Sequence, residues 1–594
     1  MIKNNKVTFI HLLGTIIKLA FTACPIYLTI SICMGVFHGV SNGAITLMTQ
    51  YFFNSISVEI YSVRNVMVAL FFFAIALILN HVFNGLHNGT IEDVSYKISG
   101  YMNIKLHKKS ARLGTLYFED SNNLNEIEKA KEGVINSTFY LNIIFIILTQ
   151  YCPYYIFMTI FLYRLKPILA ISIILIFIPV ACTQFIRGKL NSKLQDTSAP
   201  LSRKYNSYER CLTNREYFKE TRILGAYGYF RNLYCNTIQK HNNVKWEVVK
   251  KVGLSEIIMK GLTLSGYIVV LFIFVSTLLS GDITIGDFVS IFTSINTMFV
   301  LTEQLICNHI GRLSEDWGSI RNFVSFLEKE ETFGVNNIKD VQNISLEKVS
   351  FKYPNSKEYV IKDIDLIVNA GETLAIVGDN GAGKSTLVKL MIGLYKPSDG
   401  LVKIGDTNTK DLNPRSIVDN VSVVFQNFQR YMLSLKDNII ISDMRDNKAI
   451  NTNRIDTILA KVDLFIHMNK FNHGINTMLS REFGGVDMSG GEWQKISIAR
   501  GLYKNSSFIV LDEPTASIDP NEETKLYNMF FEIAADKTTV LVTHRLGCAK
   551  IADKIIVLDK GRIIEQGSHD ELIYNDGVYA KMYHVQREMY QGNV

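Results

Sequence analysis

Nine consecutive residues, Gly378, Asp379, Asn380, Gly381, Ala382, Gly383, Lys384, Ser385 and Thr386, combine three glycines, one lysine and two hydroxyls. That mixture suits phosphate. Glycines let the backbone curl until successive N–H groups face one anion, and the positive end of a following helix reinforces them. Lys384 adds a point charge, and the Ser385 hydroxyl can ligate a Mg²⁺ ion that bridges β- and γ-phosphate oxygens. The spacing carries meaning only between a strand and a helix. The apolar run Thr373 to Val377 and the helical run Leu387 to Leu394 provide both, so the segment reads as a P-loop for ATP.

A second group ends the run Ser507-Phe-Ile-Val-Leu-Asp512. Unbroken apolar text of this length is the mark of a parallel strand buried on both faces, and it delivers Asp512 to the metal. Glu513 follows at once. A carboxylate there can polarise the attacking water, which makes Glu513 the general base. Without the P-loop, the same two acids would be ordinary strand-end residues.

These groups need a scaffold. From Ile344 to Tyr353, and again from Thr373 onward, apolar β-like runs alternate with helical segments, the pattern of an α/β domain. The first half of the chain is different. Apolar runs at Leu19 to Met48, Val66 to Phe83, Phe139 to Leu162, Ile168 to Phe185, Leu262 to Leu279 and Phe288 to Ile306 are long enough to cross a bilayer, and predict about six spans. Buried helices of a soluble core rarely lack charge over such lengths. Mean hydropathy over the 594 residues is +0.14, a value raised by the apolar text of this half. The expected organisation is a membrane domain at 1–325, a linker at 326–343 and an ATP-binding domain at 344–594.

Charge gives the orientation. The second-to-third and fourth-to-fifth connections are long and basic, with Lys105, Lys108, Lys109 and Arg112 in one and Arg187, Lys189 and Arg203 in the other. The positive-inside rule puts both in the cytoplasm, at a plasma membrane crossed several times, and an even span count returns the ATP-binding domain there. Their tips are predicted at Tyr117 to Glu128 and Thr213 to Leu224. A net charge of +7 dispersed between apolar runs gives no basic stripe for nucleic acid, and eight scattered cysteines give no C-x-x-C pair for metal or redox work.

Between the P-loop and the Asp512 strand, Met488-Ser489-Gly490-Gly491-Glu492 resembles the signature of ATP-binding cassette (ABC) proteins. Met488 and Glu492 stand where Leu and Gln are commoner. With the six spans and the long cytoplasmic extensions, nearly the whole chain resembles an ABC exporter half-transporter: a six-span α-helical transmembrane domain fused to an α/β P-loop cassette. The resemblance implies Tyr353 for adenine stacking, Gln426 for metal and coupling, and His544 beside the γ-phosphate. It further implies a head-to-tail dimer in which Ser489, Gly490, Gly491 and Glu492 act on the partner's ATP, with Ser517 to Asp519 across the interface. Metal ligands are then Ser385, Gln426 and Asp512, and the catalytic set is Glu513, His544 and Gln426.

Because the hydrolytic set is complete, a homodimer in membrane lipid is expected. The text around Phe425 to Tyr431 and Arg481 to Trp493 is similar to lantibiotic peptide exporters. The expected cargo is a ribosomally made peptide. A multidrug or lipid exporter of amphipathic small molecules is the alternative, and an ATP-gated channel or regulator the third reading. Asn80, His81, Asn84, Gln150, Asn296 and Glu303 are polar groups within or near the spans, expected to pair between helices or face a cavity.

Overall fold

The computed structural model describes residues 9–57, 62–165, 167, 178–214, 216–281, 283–305, 309, 311–331, 334–338, 343–444, 452–464, 470–514, 529 and 537–591. The chain divides into two compact units. One comprises Met1–Ala111 with Asn125–Lys329, the other Arg112–Leu124 with Glu330–Val594. Beyond the division expected at 326–343, the tip of the first long connection, Arg112–Leu124, groups with the C-terminal unit.

Five helical stretches among the described residues of the first unit are long and apolar enough to cross a membrane: Pro25–Ile56, Val63–Ala111, Asn123–Leu165, Tyr227–Leu279 and Ile285–Thr302. They coincide with five of the six expected spans. The expected span at Ile168 to Phe185 falls largely outside the described residues. The first span begins at Pro25 and not at Leu19, because Pro25 lacks an N–H and takes the first helical position, closing off the separate helix Phe9–Ala23. Large apolar side chains such as Phe71 and Phe72 lie exposed along Val63–Ala111, as lipid-facing residues must.

Polar groups and small residues join these helices. Asn80 Nδ2 donates to Ser41 Oγ and Asn42 Oδ1, both at 2.9 Å, and Gln50 Nε2 donates to Asp287 Oδ1. At Gly39 a Cβ would sit 2.5 Å from the Gln150 carbonyl oxygen, so only glycine permits this backbone approach. Of the other polar residues expected in the spans, Asn84 accepts from Asn88 at 3.1 Å, while His81 and Asn296 are exposed. The Glu303 side chain lies outside the described residues.

The C-terminal unit is built on two sheets. A six-stranded sheet runs β10 (Arg562–Gly567), β9 (Lys554–Asp559), β3 (Thr373–Val377), β8 (Thr538–Val542), β7 (Phe508–Asp512), β6 (Val421–Val424). The pairs β3/β8, β3/β9, β7/β8 and β6/β7 are parallel. A smaller antiparallel sheet orders β2 (Ile361–Val368), β1 (Ile344–Phe351), β4 (Asp399–Ile404) and β5 (Thr407–Asn408). Strands β7 and β8 are buried at every position, which is why their sequences are apolar without alternation. Parallel strands end on one edge, and the loops after β3, β6, β7 and β8 therefore open side by side.

Candidate active site

The loop after β3 turns sharply. Gly378 has φ +149°, and a Cβ there would meet the Leu558 carbonyl oxygen at 2.2 Å, so this turn accepts glycine alone. Gly383, at φ +105°, is the N-cap of the helix Lys384–Met391. That helix begins three residues before the expected Leu387, because a left-handed glycine can start it directly behind the loop. Lys384 is buried, with Nζ donating to the Gly378 carbonyl at 2.7 Å and to the Asp379 carbonyl at 3.2 Å. The lysine thereby holds the loop in its curled shape.

Ser385 Oγ donates to Asp512 Oδ1 at 3.1 Å. Asp512 is 4% exposed at the end of β7, and its register opposite Val542 of β8 fixes its depth. Burial pushes its carboxyl above the ordinary aspartate range, against the hydrogen bond from Ser385. A hydroxyl and a carboxylate at this separation form a hard-oxygen pair of the type Mg²⁺ takes.

Glu513 has φ +46°, a left-handed backbone unusual for a residue with a Cβ, and its N–H donates to the Val542 carbonyl at 3.0 Å. This turn aims the side chain away from the strand. Glu513 Oε2 accepts from Gln426 Nε2 at 2.6 Å, and Glu513 Oε1 lies 3.6 Å from His544 Nδ1. A cleft of about 280 Å³ gathers Asp379, Asn380, Gly381, Gly383, Lys384, Ser385, Thr386, Gln426 and Glu513 in its lining. Four loops thus bring Lys384, Ser385, Asp512, Glu513, Gln426 and His544 to one place.

Tyr353 stands beside this cleft. Its hydroxyl shares a hydrogen bond with Thr386 Oγ1 at 3.0 Å, and its ring meets Phe351 and Tyr395 edge-on at 5.2 and 5.9 Å. Ala382 is buried behind the loop. Ser489, Gly490 and Gly491 do not line the cleft. They begin the helix Gly490–Tyr503, whose N-cap Ser489 forms a capping box with Glu492, the Glu492 N–H donating to Ser489 Oγ at 3.3 Å and the Ser489 N–H to Glu492 Oε2 at 2.6 Å. Ser517 and Asp519 fall outside the described residues.

Two sets of contacts escaped the sequence reading. Gln586, on the C-terminal helix Val578–Gln591, donates from Nε2 to the His544 carbonyl at 2.5 Å and accepts from the Leu546 N–H at 2.9 Å, pinning the turn that carries His544. In the tip of the first connection, Thr115 Oγ1 donates to the Leu394 carbonyl and Tyr395 Oη to Glu119. Lys389, on the helix that starts at the P-loop, donates to the Tyr395 hydroxyl at 3.2 Å. Only the aromatic text of the tip hinted at such docking.

Residues 361–516 match the ABC transporter family model. The chain is 29% identical to the subtilin transport ATP-binding protein SpaT of Bacillus subtilis over 84% of its own length and 81% of that protein's. It is 27% identical to the nisin transport ATP-binding protein NisT of Lactococcus lactis subsp. lactis, over 89% of each chain. An ATP-dependent lipid A-core flippase of Photobacterium profundum is 30% identical over 58% of this chain and 59% of that one. In fold, the chain is similar to a bacterial Atm1-family ABC exporter with ATP bound, with a TM-score of 0.79, 20% identity, and coverage of 94% of this chain and 99% of the other.

Proposed function

We propose that this chain, an ATP-binding cassette half-transporter of the exporter type, exports a ribosomally made peptide as a homodimer in the cytoplasmic membrane, its cassettes in the cytoplasm. ATPase-coupled transport by a multi-pass membrane protein is the premise. The observation that carries the rest is a division: the cleft contains the phosphate loop and Glu513 but not Ser489 to Gly491. Those residues offer a second set of helix N-terminal N–H groups, and in this reading they close over the γ-phosphate bound by a second copy.

The chemistry follows from the geometry. Tyr353 supplies a ring face for adenine, and the N–H groups from Asp379 to Thr386 cradle the phosphates. Lys384 exchanges its bonds to the Gly378 and Asp379 carbonyls for phosphate oxygens. Ser385 and Asp512, with the Gln426 amide oxygen, hold Mg²⁺, which when bound neutralises charge on the β- and γ-phosphates. Glu513 Oε takes the proton of the attacking water while Gln426 fixes the carboxylate's orientation. His544, held by Gln586 and Glu513, faces the γ-phosphate.

The peptide cargo rests on the likeness to the subtilin and nisin transporters over most of both chains. The lipid A-core flippases support lipid or multidrug export as the second reading, with shorter coverage. ATPase assays in lipid nanodiscs against peptides, lipids and drugs separate the two. Stimulation by leader-bearing precursor peptides is expected, and stimulation by lipids or hydrophobic drugs alone contradicts the peptide reading.

A further inference from the structure

Glu492 raises an electrostatic problem at the signature helix. Its carboxylate caps the N-terminus of Gly490–Tyr503, the same N-terminus that the proposed dimer brings against a γ-phosphate. Helix N-termini favour anions, and here one anion already occupies the position. A second, multiply charged anion arriving within a few ångströms meets like-charge repulsion in a poorly solvated interface.

Lys470 answers that repulsion. Its Nζ donates to both carboxylate oxygens of Glu492, at 2.8 and 2.7 Å. The neighbouring Phe471 is 5% exposed in the apolar cluster that also buries Met488 and Trp493, so the lysine's backbone is fixed to the same core as the signature segment. The pair is shielded from full hydration, with side-chain exposures of 32% for Lys470 and 24% for Glu492. Burial tends to raise the Glu492 carboxyl, yet hydrogen bonds from Lys470 and Ser489 hold it below the ordinary range. Lys470 is therefore more than a rim charge. It cancels the one full negative charge that the signature segment carries at its phosphate-facing end.

We propose that Lys470 is a positioning residue for hydrolysis: by neutralising Glu492 it lets the signature helix of one copy accept the γ-phosphate bound by the other. This rests on the dimeric ATP site proposed above. Lys470 itself touches no phosphate in this scheme and acts through Glu492.

The test is a double-mutant cycle on the full-length protein in nanodiscs, reading the ATP concentration for half-maximal turnover. Lys470→Met should raise that concentration about tenfold when residue 492 is Glu, and by less than about twofold when Glu492→Gln is also present. Lys470→Arg should restore the wild-type value, because only the charge is needed. Lys470→Gln serves where the methionine variant fails to accumulate. An equal rise with Glu or Gln at 492 overturns the proposal, as does no rise with Glu. Lys384→Ala run alongside distinguishes failure of the ATP site from failure of Lys470. If that variant keeps the wild-type half-maximal concentration, the ATP-site reading fails; if its value rises or turnover is lost while Lys470→Met matches wild type, only the role of Lys470 fails.

Discussion

The phosphate loop and the signature segment are both glycine-rich helix starts in the same unit, yet they are finished differently. At the first, Gly383 caps the helix without a side chain, leaving its N–H groups open beside Lys384 and Ser385. At the second, Ser489 and Glu492 already satisfy each other, and the segment lies outside the cleft. One is an open cradle and the other a closed cap. In the proposed dimer, that difference gives each chain a half that binds one nucleotide and a half that clamps another.

Breaking the cradle's chemistry should give the largest effect. Glu513→Gln removes the proton acceptor and leaves the phosphate contacts in place, so turnover should fall by roughly 10²- to 10⁴-fold while ATP still binds. Steady-state phosphate release checks the first part and nucleotide retention the second. Turnover close to wild type would remove Glu513 from the role of base.

Lys384→Ala acts on binding. Loss of a charge-assisted contact of about 1.5–3 kcal/mol should weaken ATP affinity by roughly 10- to 100-fold, measured with a fluorescent nucleotide analogue. The loop should also loosen, since Lys384 bonds two of its carbonyls. Unchanged affinity would contradict the placement of the phosphates.

The smallest effect concerns stability and sharpens the contrast between a site built for a ligand and one already satisfied. Burial raises the Asp512 carboxyl, so the folded state holds its proton more tightly than the unfolded chain. The ionised form costs stability, a cost absent below the ordinary aspartate value and growing as pH rises through the raised one. In nucleotide- and Mg²⁺-free protein, Asp512→Asn should therefore raise the melting temperature of the cassette, more at pH 7.5 than at pH 5. A gain independent of pH would mean that Asp512 carries no such penalty.

Local chemistry was legible in the sequence and distant contacts were not. The P-loop, the β7 strand and Glu513 could be read because their residues are contiguous and the polypeptide geometry does the rest. The helix starts at Lys384 and not at the expected Leu387, because apolar periodicity begins only at Leu387 while the left-handed Gly383 is what opens the helix. Gln586 is separated from His544 by 42 residues, and Glu119 from Tyr395 by 276. A lone glutamine or glutamate carries no periodic signal, so only folding reveals what it touches. The spans were legible as lengths of apolar text, but the break at Pro25 and the Gly39 contact with Gln150 depend on packing that hydropathy does not encode.

The division of labour between cradle and clamp is tested most directly by mixed dimers carrying Lys384→Ala and Ser489→Arg. With the two changes on separate chains, the proposed dimer keeps one intact composite site; with both on one chain beside a wild-type partner, it keeps none. Vanadate-trapped nucleotide per dimer, counted in nanodiscs, should therefore be present in the first arrangement and absent in the second. The reverse pattern would mean that each cassette completes its own site, which contradicts the account.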